Sequence, residues 1–194
     1  MSYYPSVNYL TGAWQAAQFP ADIGVEVAFA GRSNSGKSSA INAITGRIAI
    51  ARASKTPGRT QLINFFTLGE QQRLADLPGY GFAKVPPAMK QHWQVLMTSY
   101  FEQRQALHGL IILMDSRHPL KDTDWQMLEW SQGRGIRCHV LLSKSDKLSQ
   151  SEASKILREV KQAVEGQATV QLFSATSHRG VDEARKVLDA MLKL

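Results

Sequence analysis

Cysteine is almost missing from this chain: Cys138 is the only one in 194 residues. A single thiol cannot form an intrachain disulfide, so a packed core must hold the fold and a reducing cytosol is the natural compartment. The apolar stretch Cys138–Leu142 around it marks the thiol as a core residue rather than a reactive one. Long hydrophobic runs are missing too. The longest, Leu110–Met114, is far short of the roughly 20 residues that cross a bilayer. Met1–Leu10 lacks both the basic start and the apolar stretch of an export signal, so a cytoplasmic protein is expected. Acidic side chains are under-represented, 16 against 23 Lys and Arg, giving a net charge of +7. That excess favours a polyanionic partner but does not separate nucleic acid from a nucleotide. With 43% hydrophobic and 20% charged residues the chain is neither disordered nor fibrous.

What is present has a regular order. Short apolar strands at Val25–Ala30, Leu110–Asp115, Val140–Ser143 and Val170–Phe173 alternate with longer helical segments. This is the rhythm of a mostly parallel sheet covered by helices on both faces. The runs Leu62–Leu68 and Gln72–Asp76, broken by Gly69-Glu70, form a hairpin that adds one antiparallel strand. Ser149 and Glu152 make a capping box ahead of a helix through Val164, with Ala153, Ile156, Leu157, Val160 and Val164 on one stripe. Val181–Leu192 repeats that pattern. Residues 1–22 look like an extension laid over a single domain spanning 23–194, with a six-stranded sheet.

Gly31-Arg32-Ser33-Asn34-Ser35-Gly36-Lys37-Ser38 satisfies G-x-x-x-x-G-K-[ST] after a strand and before the helix Lys37–Thr45. Glycines let the backbone curl so that N–H groups converge on phosphate at a helix N-terminus. Lys37 then reaches the β- and γ-phosphates, and the Ser38 hydroxyl ligates Mg²⁺. Asp76-Leu77-Pro78-Gly79 ends the next strand. Asp76 can hold Mg²⁺ through a water, and the Gly79 N–H can meet the γ-phosphate with no side chain in the way. Ser143-Lys144-Ser145-Asp146 is close to the [NT]-K-x-D guanine-reading pattern. An ionised Asp146 accepts both N1–H and N2–H₂ of guanine, donors that adenine lacks, while Lys144 can lay its stem along the base. Ser174-Ala175 follows the last strand, where backbone can face the guanine O6. Together these loops favour GTP over ATP. Between Arg47 and Thr60 lie four basic residues (Arg47, Arg52, Lys55, Arg59) and no acid, in the position of a loop that orders around γ-phosphate. Thr60 is the expected second protein ligand to Mg²⁺, with Thr56 as its competitor.

These residues resemble the translation-factor-related GTPases, and within them the EngB family of bacterial ribosome-biogenesis GTPases. The likeness is carried by Gly31–Ser38, by Lys55-Thr56-Pro57-Gly58-Arg59-Thr60-Gln61, and by Asp76-Leu77-Pro78-Gly79-Tyr80-Gly81-Phe82-Ala83. It implies a Ras-like G domain of the P-loop NTPase class. The expected nucleotide contacts are Gly31–Ser38, Gly58, Arg59, Thr60, Gln61, Leu62, Asp76–Gly79, Ser143–Asp146, Phe173, Ser174 and Ala175, with Mg²⁺ on Ser38 and Thr60. It also implies GTP-dependent assembly of the 50S ribosomal subunit, with pre-50S particles as partner and neither membrane nor DNA. Two departures are informative. Ser143 replaces the usual Asn or Thr, and its shorter side chain is expected to lose a brace on the phosphate loop. Tyr80 stands where Ras-like GTPases carry a water-orienting Gln, which implies slow hydrolysis completed by a partner or an ion. Asn34 is a candidate K⁺ ligand, or else a residue suited to a left-handed turn. Lys37, Thr60 and Gly79 are the expected catalytic groups. A monomer is expected, and the alternative is a GTP/GDP-binding regulatory module that serves another RNA or cell-division process without significant hydrolysis.

Overall fold

A computed structural model of the protein describes residues 4–51, 62–81 and 86–193. Its strands are β1 (Asn8–Ala13), β2 (Val25–Gly31), β3 (Ile63–Thr67), β4 (Gln72–Asp76), β5 (Leu107–Asp115), β6 (Arg137–Ser143) and β7 (Thr169–Leu172). The helices are α1 (Lys37–Thr45), α2 (Pro87–Gln103), α3 (Asp122–Gly133), α4 (Gln150–Ala163) and α5 (Val181–Met191). The strands form one sheet in the order β1-β3-β4-β2-β5-β6-β7. Only β3 runs against the others, pairing antiparallel with both β1 and β4.

The sheet has seven strands, not six. The extra one, β1, comes from the segment expected to lie over the domain; it pairs Ala13 with Ile63 and Thr11 with Phe65, with a bulge at Leu10. Only Ala13 of its six residues is buried. An edge strand stabilised by ladder hydrogen bonds rather than by burial carries no apolar run that a sequence pattern would register. Phe19, a few residues on, packs its ring edge-on against Phe65 and Tyr100 at 5.9 and 5.7 Å.

Strand β5 explains why the middle of the chain is so apolar. Leu110, Ile112 and Met114 face one side with Leu96, Met97, Tyr100 and Phe101 of α2 and Met127 and Leu128 of α3. Ile111 and Leu113 face the other with Ile41 and Ile44 of α1 and Leu188 and Met191 of α5. Helices α2, α3 and α4 thus cover one face and α1 and α5 the other, as a sheet with both faces buried requires. Ser149 caps α4 as expected: its hydroxyl accepts from Glu152 N at 3.3 Å, and Glu152 Oε2 accepts from Ser149 N at 2.8 Å. Cys138 is buried, and burial pushes its thiol up to about 12. Among the described residues no helix is long and apolar enough to cross a membrane.

One polar group lies deep in this core. The Glu26 carboxylate, fully buried near the start of β2, accepts from Tyr100 Oη (2.6 Å), Arg104 Nε (3.1 Å) and Nη2 (2.8 Å), and Arg73 Nε (3.2 Å). Arg104 reaches on to Pro20 O at 2.6 Å and Arg73 to Ile23 O, which ties the N-terminal segment to β2, β4 and α2. Removing one partner of a buried ion pair leaves the others uncompensated. Glu26→Ala is therefore expected to destabilise the fold by about 3 kcal/mol or more in urea unfolding.

Candidate nucleotide-binding site

The loop from β2 to α1 has the backbone its residues predict. A Cβ on Gly31 would sit 2.5 Å from Ser35 Oγ and 3.0 Å from Leu113 O, so only glycine lets the loop turn against β5. Gly36 needs glycine for a different reason: its φ of 89° is left-handed while the space around it is open. Gly36 is also the N-cap of α1 and offers no side-chain cap. The first backbone N–H groups of α1 remain donors for an anion, supported by the positive end of the helix dipole. Lys37 and Ser38 open that helix, and Lys37 Nζ donates to Asp76 Oδ1. The phosphate-loop ammonium and the carboxylate at the end of β4 are thus in direct contact.

Strand β4 delivers Asp76 because it lies beside β2, with Asp76 opposite Phe29. Leu77 N then donates to Phe29 O (3.0 Å), and Leu77 and Pro78 are buried. Gly79 lies against the phosphate loop: a Cβ there would meet Ser33 Cα and N at 3.5 Å. Ser33 N donates to Tyr80 O at 2.9 Å, and Tyr80 N to Gly31 O at 3.4 Å.

The second half of the site comes from β6 and β7. Ser143 Oγ donates to Ser35 O at 2.6 Å, with Met114 O further off at 3.2 Å. The brace that the short side chain was expected to forfeit is therefore present. Because Ser143 ends β6 beside β5, directly behind the loop, a hydroxyl spans the gap. Lys144, left-handed at φ 57°, donates Nζ to Asn34 O at 2.6 Å and pairs with Asp115 Oδ2 at 3.0 Å. Asp146 Oδ1 accepts from Ser174 Oγ at 2.6 Å, and Oδ2 pairs with Lys147 at 3.2 Å. The Ser174 hydroxyl, then Lys147, hold the Asp146 carboxyl below its usual range, so it stays an ionised acceptor. Phe173 O accepts from both Ser145 N (3.1 Å) and Ser145 Oγ (3.0 Å), which fixes Ser145 and the Ser174-Ala175 turn together.

The structure thus brings together Gly31, Arg32, Ser33, Asn34, Ser35, Gly36, Lys37, Ser38, Asp76, Leu77, Pro78, Gly79, Ser143, Lys144, Ser145, Asp146, Phe173, Ser174 and Ala175 along the carboxyl ends of β2, β4, β6 and β7. Leu62 directly precedes β3. The expected contacts at Gly58, Arg59, Thr60 and Gln61 lie outside the described residues, as do Thr56 and the basic residues Arg52 and Lys55. Asn34 adopts φ 64°, the left-handed turn suited to asparagine.

Sequence reasoning missed Asp115. It ends β5 and is gripped by Arg117 Nε (2.9 Å) and Nη2 (2.7 Å) as well as by Lys144. The Arg117 guanidinium, helped by Lys144, holds its carboxyl well below the usual carboxylate range. The available signal was an acid two residues before an arginine at a strand's carboxyl end.

A phosphate loop stitched to a guanine-type acceptor loop across one sheet edge defines a G domain, the guanine-nucleotide class of P-loop protein. Residues 26–144 match the family described as 50S ribosome-binding GTPase. The chain is 52% identical over 188 residues to the probable GTP-binding protein EngB of Coxiella burnetii (strain CbuK_Q154), covering 95% of this chain and 92% of that protein. It is 50% identical over 194 residues to the EngB of Nitrosococcus oceani (strain ATCC 19707 / BCRC 17464 / JCM 30415 / NCIMB 11848 / C-107), covering 98% and 97%. Among solved structures, a probable GTP-binding protein engB superposes with a TM-score of 0.70 at 18% identity, covering 87% of this chain and 98% of that one. The G domain of the T. maritima FeoB iron transporter superposes at 0.58 with 22% identity, covering 87% and 99%; these two show the fold alone. The chain belongs to the EngB family of GTP-binding proteins.

Ser143 carries the link between the two halves of the site. Ser143→Ala, which deletes one hydrogen bond, is expected to weaken GDP binding about five- to tenfold in a fluorescence titration, with the fold retained.

Proposed function

We propose that the chain binds GTP and GDP, hydrolyses GTP slowly, and acts as a nucleotide-dependent switch in assembly of the 50S ribosomal subunit. The observation that carries the nucleotide reading is Asp146, an ionised acceptor clamped by Ser174 in a loop that Ser143 and Lys144 tie to the phosphate loop. A guanine placed against it offers the carboxylate two further donors, N1–H and N2–H₂, whereas adenine offers neither. Lys37 would leave Asp76 for the phosphates, and the Gly79 N–H would meet the γ-phosphate. Ser38 and, through a water, Asp76 would supply hard oxygen donors that suit Mg²⁺, with Thr60, outside the described residues, as the expected second protein ligand. Mg²⁺ bound there supplies neutralisation of charge on the β- and γ-phosphates.

Slow hydrolysis is supported by Tyr80, whose phenol is buried and donates to Asp124, away from any role in orienting water. Asn34, exposed on the loop's rim, is available to a K⁺ that would raise the rate. Equal rates in K⁺ and Na⁺ buffers, with Asn34→Ala as control, would remove K⁺ from the mechanism. A large-subunit particle as effector is supported by the family description and by the net charge of +7, which suits rRNA. A monomer located in the cytoplasm completes the reading.

Two measurements test it. In nucleotide competition GTP and GDP should displace a labelled guanine nucleotide and ATP should not, and Asp146→Asn should cost at least about a hundredfold in GDP affinity. In sedimentation with ribosomal subunits, binding should depend on nucleotide and weaken with salt; absence of binding in GTP, GDP and nucleotide-free samples at low salt would refute the ribosomal reading.

A further inference from the structure

Tyr80 is the residue whose side chain goes furthest from what its sequence position suggests. It follows Gly79 directly, yet it is only 4% exposed and its hydroxyl donates to Asp124 Oδ1 in α3 at 2.9 Å. Asp124 is fully buried, and its other oxygen accepts from Lys121 N at 3.0 Å, closing the first turn of α3. The Tyr80 ring meets Trp93 of α2 edge-on at 6.4 Å. On the main-chain side Tyr80 is bonded through both its N and its O to the phosphate loop, at Gly31 and Ser33. A single residue therefore fastens the end of the Asp76–Gly79 turn to the phosphate loop by its backbone and to α3 by its side chain.

The two main-chain bonds make an isolated parallel β-bridge between Arg32 and Tyr80, and a Cβ on Gly81 would come within 3.0 Å of Arg32 Nε. Gly81 has φ +74°, in the left-handed region that favours glycine. Burial, reinforced by the neighbouring Asp124, pushes the Tyr80 phenol well above its ordinary value, which keeps it a neutral donor. A phenol so placed can neither accept a proton from water nor reach a nucleotide's phosphates while its bond to Asp124 persists.

We propose that Tyr80 is a positioning residue: its phenol, anchored on Asp124 of α3, holds Gly79 against the phosphate loop and thereby raises affinity for GTP relative to GDP. This rests on the reading of the Gly79 N–H as a γ-phosphate donor. The selectivity follows from that placement. GDP touches the guanine loops and a phosphate loop that Ser143 and Lys144 brace independently of the Tyr80 side chain; only the γ-phosphate meets Gly79. A donor held in place before the ligand arrives binds without an ordering cost, and freeing it restores that cost for GTP alone.

The test uses the full-length chain with Mg²⁺, titrating GDP and a non-hydrolysable GTP analogue against the unmodified protein, Tyr80→Phe, Asp124→Ala, the double variant and Gly79→Ala. Tyr80→Phe keeps the ring and loses only the hydroxyl; it is expected to weaken the GTP analogue about fivefold while GDP changes less than about twofold. Asp124→Ala should shift the same ratio, and the double variant no more than Asp124→Ala alone. Equal weakening of both nucleotides would show Tyr80 to be a structural residue, and an unchanged or increased affinity for the GTP analogue would overturn the proposal as well. Gly79→Ala separates the two layers of the argument. If it leaves the ratio unchanged, the γ-phosphate reading itself fails; if it shifts the ratio and Tyr80→Phe does not, only the anchoring role fails. Should Asp124→Ala not fold, Tyr80→Phe against Gly79→Ala still decides the matter.

Discussion

Parallel strands can be connected only by crossovers that cover the faces of the sheet, and this constraint places everything functional in the molecule. Strands β2, β4, β5, β6 and β7 run the same way, so the sheet's two faces go to helices and its core residues fall into two apolar layers. What remains for chemistry is the rim where these strands end. Gly31, Asp76, Asp115 and Ser143 are each the last residue of a strand, and each is a working part of the site or of its bracing.

The two ends of the sheet are built differently. Near the start of β2 the chain is locked by a charged cluster: Glu26, Arg73, Arg104 and Tyr100 satisfy one another and hold the N-terminal segment, with little left for a ligand to change. At the opposite end the polar groups lie at the rim, where a nucleotide could exchange some of their bonds. Lys37 and Asp76 face each other as paired counter-charges, while Ser143 and Lys144 brace the loop through its carbonyls. Rigid scaffold at one end and exchangeable polar contacts at the other is the division of labour a switch protein needs.

Much of this was legible from residue types. The phosphate loop, the turn at Asp76–Gly79 and the Asp146 loop are local in sequence, because each is one strand end followed by a tight turn, so spacing alone identifies them. The helices α4 and α5 were equally clear, since each buries a single stripe. Strand β1 was not, because its stability comes from pairing with β3 and only Ala13 is buried. Nor was the consequence of Ser143: whether a shorter side chain keeps its brace depends on how near the phosphate loop lies to the end of β6, a distance no motif encodes.

Sequence by itself determined that a phosphate loop, the Asp76–Gly79 turn and the Ser143–Asp146 loop occur in this order on an α/β scaffold, because each needs particular residues at fixed local spacing. Tertiary structure alone decided how these parts are joined. Asp115 holding Lys144, Ser143 spanning to Ser35 and Tyr80 turning inward to Asp124 connect residues 29, 108 and 44 positions apart. Such contacts depend on which strands become neighbours, and the packing of the whole sheet settles that. The nearly absent cysteine takes on its meaning in the same way. With no disulfide to fix the chain, those long-range hydrogen bonds and the two apolar layers are what hold the site together.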